Sequence, residues 1–133
     1  MPESELQNGR FDKTLPPIVA EALAALDDRK AERSVVLDMR ETASFTDYMI
    51  IANGHSAPHV QALCDAVSER LADAGAKPSH IEGRSEANWV LLDYIDLIVH
   101  VFTPAARDFY QLERLWRDAP LLEWAPAEPS GEA

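Results

Sequence analysis

Few residues in this chain stand at spacings that could do chemistry. His55 and His59 lie four apart, a separation that sets two imidazoles on one helix face and could hold a metal ion. His55, however, precedes Ser56, the natural cap of the helix that follows, and no third Cys, His or acid stands at a suitable distance. A metal site is therefore not expected. The single cysteine, Cys64, falls within an amphipathic helical pattern and has no partner for an internal disulfide. It reads as a small buried hydrophobe rather than a nucleophile.

Phosphate chemistry is the next class to weigh. The tripeptide Gly54-His55-Ser56 resembles the phosphate-holding loop of nucleotidyltransferases, which also need two acids on one face of a following strand to bind magnesium. No D-x-D or D-x-E follows the helix after Gly54. Asp93 and Asp96 are three apart across an expected turn, so their carboxylates point to different places. Asp38 and Asp47 each border an apolar strand, and for Asp47 the plainer role is a hydrogen bond to backbone or to a basic side chain at the strand entrance. With only five glycines and neither G-x-G-x-x-G nor G-x-x-x-x-G-K-[ST], a nucleotide-binding loop is not expected.

The elements that must position these residues centre on Asn88 to Trp116, which holds six of the ten aromatic residues. Two apolar runs separated by Asp93 to Asp96, then a helical pattern after Pro104, read as a β-hairpin feeding a helix. Trp89, Leu91 and Asp93 share one strand face and Val90, Leu92 and Tyr94 the other. After the turn, Leu97, Val99 and Val101 oppose Ile98, His100 and Phe102. An imidazole so placed reads first as a hydrogen-bonded core residue.

Upstream, the spacing of Leu15, Ile18, Val19, Ala22, Leu23 and Leu26 predicts an amphipathic helix from Thr14 to Ala31, with Pro16 and Pro17 at its start. Ser34 to Met39 reads as a strand and RETASF after it as a connection. Tyr48 to Ala52 are apolar without a break, which predicts a central strand covered on both faces. Ser56 caps a helix from Ala57 to about Ala74, and Gly75 suits its end. Pro78 to Gly83 is a short strand candidate. A closing helix from Pro104 to Ala119 should carry Phe109, Leu112, Leu115 and Trp116 on its apolar side. The expected architecture is α/β (α+β), a mixed sheet of about five strands flanked by helices, as one domain over 13–119. Residues 1–12 are expected to be flexible, and 120–133 to be a mostly disordered acidic tail.

The chain has 133 residues and a net charge of −11, from 23 acids against 12 Lys and Arg. That argues against wrapping nucleic-acid phosphates and suits a basic protein partner. No apolar run approaches the roughly 20 residues of a membrane helix, and MPESELQNGR lacks signal- or transit-peptide character. A soluble, cytoplasmic protein is expected.

TDYMIIANGHSAPHV and EGRSEANWVLLDYIDLIVHVFTPAARDFYQLERLW resemble the Iojap-like ribosomal silencing factors over about Val35 to Ala119. The resemblance implies a sheet similar to the nucleotidyltransferase fold without catalytic residues, cofactor or metal. It also implies binding to the large ribosomal subunit through the basic ribosomal protein L fourteen, with little direct nucleic-acid binding. By the same resemblance, joining of the small subunit would be blocked and translation repressed when nutrients are scarce. The positions that match the family, and so are assigned to the partner, are Trp89, Asp93, Tyr94, His100, Arg107, Phe109, Tyr110, Glu113 and Trp116. Met49, where a larger residue is common, and the acidic tail depart from the pattern. Tyr94 is expected to be exposed in the binding patch and Leu112 to be core. A homodimer covering the aromatic patch is a further expectation, and a nucleotidyltransferase-like enzyme or nucleotide-binding protein is the alternative.

Overall fold

Pro16 and Pro17 mark the start of the first helix, because proline has no N–H to lose there and its φ is already helical. In the computed structural model, which describes residues 15–123, helix α1 spans Pro17–Asp28 with Pro16 at its N-cap. Its buried face is Val19, Ala22, Leu23, Ala25 and Leu26. Strand β1 (Glu32–Asp38) follows, then β2 (Tyr48–Asn53), all six residues of which are buried, as its unbroken apolar run requires. Helix α2 (Ala57–Asp73) begins at Ser56, whose hydroxyl accepts the His59 N–H at 3.2 Å. Gly75, at φ +90°, turns the chain out of the helix. Gly54 lets β2 meet α2 closely, since a Cβ there would lie 2.9 Å from the Val60 nitrogen.

Strands β3 (His80–Glu82), β4 (Trp89–Asp93) and β5 (Leu97–Phe102) come next, then α3 (Pro104–Tyr110), α4 (Leu112–Leu115) and β6 (Leu121–Glu123). The sheet runs β3-β4-β5-β2-β1-β6. Among the described residues only β2 and β5 pair in parallel, and the other four pairs are antiparallel. All five expected strands are present. The sixth, β6, pairs with β1 inside the stretch expected to be tail, while 1–14 and 124–133, which hold the expected flexible start and the rest of that tail, lie outside the described residues.

Alternation along the strands divides the side chains between two layers. On one face Val36, Tyr48, Ile50, Ala52, Val90, Leu92, Tyr94, Val99 and Val101 pack against α1 and α2. Arg70 of α2 joins the two helices, reaching Glu21 at 2.7 Å and Asp28 at 2.9 Å. On the other face Leu37, Met49, Ile51 and Phe102 pack beneath Leu112, Trp116 and Ala119.

The expected continuous helix from Pro104 to Ala119 is not formed. It breaks at Gln111, which adopts the left-handed conformation at φ 48°. The break has a tertiary cause: Arg107 donates to Glu113 Oε2 from Nε at 3.1 Å and from Nη2 at 2.6 Å. Residues six apart sit about 240° around an unbroken helix and about 9 Å along it, too far for that pair to meet.

Candidate partner-binding surface

Four aromatic rings rise from the core to solvent on the side of the sheet opposite α1 and α2. Phe102, fully buried, lies under Trp89 with ring centroids 5.1 Å apart. Tyr110 packs on Trp89 at 4.6 Å, and Phe109 meets Tyr110 edge-on at 5.0 Å. Exposure grows along this stair, to 51% at Tyr110 and 80% at Phe109. α3 turns Arg107 inward and leaves Phe109 outward, and beyond the break Leu115 is exposed as well, contrary to their expected place on the buried side. Leu112 is buried as expected.

Helices α3 and α4 lie over β5, β2 and β1, whereas β4 presents Leu91 and Asp93, both half-buried, on the same face beside the exposed Glu82 of β3. The result is an apolar shelf with carboxylates at its margin. Phe45, in the connection before β2, is half exposed and packs at a tilt of 58° against Trp116, ring centroids 5.5 Å apart. It belongs to this exposed apolar surface, and its one signal in the sequence was a lone aromatic within the polar RETASF.

The matched positions divide in the structure. Trp89, Phe109, Tyr110 and Trp116 reach the surface. Tyr94 does not: it is buried against the helices on the opposite face, which corrects its expected exposure. Position 94 continues the alternation of Val90 and Leu92, so its ring falls on their side. The left-handed residue Ile95 then turns the chain. Burial pushes the Tyr94 phenol up, and its hydroxyl points towards Ser68 outside hydrogen-bond geometry.

His100 is buried at the foot of the stair, where its Nδ1 accepts the Trp89 Nε1–H at 2.9 Å. Burial lowers its pKa to about 4, so the ring is neutral at pH 7. Arg107 is also internal, donating through Nη1 to the Arg33 carbonyl at 2.6 Å and to Asn53 Oδ1 at 3.0 Å in addition to Glu113. Burial raises the Glu113 carboxyl, but the Arg107 hydrogen bonds and charge outweigh it and hold the pKa below the ordinary range. Arg107 and Glu113 therefore shape the surface from beneath. Asp93 accepts the Ile95 N–H at 2.8 Å and so closes the hairpin turn.

The other candidate groups are engaged in structure. His59 accepts the His55 N–H on Nδ1 at 2.9 Å, and its Nε2 lies 2.8 Å from the Arg29 carbonyl, so both ring nitrogens are occupied. Asp38 accepts from Arg40 Nη2 at 2.7 Å, and that hydrogen bond lowers its pKa. Asp47 is exposed and only its backbone is engaged among the described residues, rather than the side-chain bond expected of it. Cys64 is buried, which pushes its thiol up to about 12 and keeps it protonated.

These features define an α/β protein with one helix-sealed side and an exposed aromatic surface on the other. A family model described as ribosomal silencing factor during starvation matches residues 12–133, and the chain belongs to that family. It is 41% identical over 102 residues to the ribosomal silencing factor RsfS of Bacillus subtilis, covering 77% of this chain and 86% of that one. A crystal structure of a Chromobacterium violaceum protein superposes with a TM-score of 0.74 at 36% identity, covering 87% of this chain and 92% of that one. A mouse protein named for mitochondrial assembly of the ribosomal large subunit is 25% identical over 118 residues, which cover 86% of this chain and 52% of the mouse protein.

Proposed function

We propose that this chain, acting in the cytoplasm and without catalysis, binds the large ribosomal subunit through ribosomal protein L fourteen. Bound there, it blocks joining of the small subunit and represses translation under nutrient limitation or in stationary phase. The observation that carries the reading is the exposed Trp89–Tyr110–Phe109 stair beside the open shelf of β4, since Trp and Tyr anchors dominate protein interfaces. Carboxylates at Glu82 and Asp93 suit a basic partner. The name of the mouse relative supports a link to the large subunit.

The test is co-sedimentation with purified large subunits, read beside thermal unfolding. Phe109→Ala or Tyr110→Ala should weaken binding by about 2 kcal/mol while stability stays within about 1 kcal/mol. Leu112→Ala, in the core, should instead cost about 2–5 kcal/mol of stability. Unchanged binding in both aromatic variants would remove this surface from the reading. Micromolar affinity for a nucleoside triphosphate with magnesium would favour the nucleotide-binding alternative instead.

The same exposed rings favour a second reading, a C2 homodimer in which one copy covers the other's Phe109 and Tyr110 until the ribosome displaces it. Light scattering at tens of micromolar should find the dimer in the parent and lose it in Phe109→Ala; a monomeric parent ends this second reading.

A further inference from the structure

The Trp89–His100 contact fixes more than packing. An indole N–H can only donate, so His100 Nδ1, 2.9 Å away, must be an acceptor and carry no proton. In a neutral imidazole the single proton then sits on Nε2. Nε2 has no hydrogen-bond partner among the described residues, yet it is not sealed. The one sealed, unpartnered side-chain polar atom among those residues is the Tyr94 hydroxyl, and strand register places His100 on the shelf side of the sheet. Its cross-strand neighbours there, Leu91 and Ile51, are aliphatic and offer no side-chain acceptor.

We infer that His100 Nε2–H is a pre-set hydrogen-bond donor of the partner surface, and that the partner seats a carbonyl, carboxylate or hydroxyl oxygen on it. The inference rests on the shelf beside Trp89 being the binding surface, as proposed above. A partner that covered this N–H with an apolar group would strand it away from water. One that offered an acceptor would be selected by about tenfold or more, the discrimination expected of a buried donor that is paired rather than orphaned. Trp89 therefore has a second role as a positioning residue, holding the histidine in the one tautomer that donates outward.

The experiment uses the full chain and purified large subunits. Asparagine places its carbonyl near the Nδ1 position and can still accept from Trp89, but it has nothing at Nε2; glutamine reaches the Nε2 position with an N–H. His100→Asn should weaken binding about tenfold or more, and His100→Gln should restore it to within about threefold of the parent. Thermal unfolding of both variants identifies any loss due to misfolding, and nitrogen-15 NMR of the parent's imidazole reads the tautomer independently of binding. A proton on Nδ1 in the free protein, or equal binding by folded His100→Asn and parent, overturns the inference. Phe109→Ala separates the two levels. If it weakens binding while His100→Asn does not, only the donor role fails; if neither weakens it, the surface itself is wrong.

Discussion

The indole of Trp89 both stacks in the aromatic stair and donates to His100, and burial beside it makes the histidine's protonation part of the protein's stability. The ordinary imidazole pKa of 6.5 falls to about 4 in the fold because burial disfavours the charged form. Between those values the unfolded chain binds a proton that the native chain does not, so stability rises with pH across the window. Going from pH 6.5 down to pH 4 should cost up to about 3 kcal/mol. The Asp38 and Glu113 carboxyls, both lowered, also lose stability on acidification, but from about pH 4.5 downward. Urea unfolding at pH 7 and pH 5 should therefore show a drop in the parent that is flattened in His100→Gln; an unchanged drop would assign it elsewhere. The histidine's apolar setting was legible from strand alternation. Its partner was not, because Trp89 lies diagonal to it and only the register that places Trp89 opposite Phe102 brings the two together.

Among the elements, the hairpin, the fully buried β2 and the capped α2 were legible because each carries its cause locally: alternation, an unbroken apolar run, and Ser56 with Gly75 at the ends. The break between α3 and α4 was not. Phe109, Leu112, Leu115 and Trp116 do recur at helical spacing, and no Gly or Pro marks the interruption, which is set by Arg107 reaching Glu113, Asn53 and the Arg33 carbonyl. Strand β6 was missed because three residues are too few to show alternation. Tyr94 and Tyr110 look alike in sequence, and only the packing of whole elements sends one inward and the other outward. Arg107→Ala should leave the Glu113 carboxylate and the Arg33 carbonyl unpaired, at a cost of about 3–5 kcal/mol. Chemical denaturation measures it, and a loss below about 1 kcal/mol would mean that the broken helix holds its shape without the arginine.

For the whole molecule, acidic charge borders the aromatic surface at Glu82, Asp93 and Asp108 and is also carried on the helix side. Asp27, Asp28, Asp65, Glu69 and Asp73 are exposed on α1 and α2, while the aromatic stair stands on the opposite side of the sheet. Association of an acidic protein with a basic one is driven partly by fields that salt screens beyond about 8 Å at physiological ionic strength. Co-sedimentation over a salt series should show large-subunit binding weakening as salt rises, chiefly through slower association. Binding that strengthens with salt would point to an interface made by apolar burial alone.

The parallel pairing at the centre of the sheet also governs when the protein can exist. Tyr48 pairs with Leu97 and Asn53 with Phe102, so β2 must wait for β5 across α2, β3 and β4 before its second edge is satisfied. Closing so long a loop is slow relative to forming a local hairpin. The stair stands on Phe102, a β5 residue, and its outer rings come later still, on α3. During synthesis, then, the chain has no finished aromatic stair until its central strands have met, and a partial product lacks the surface proposed above for the partner.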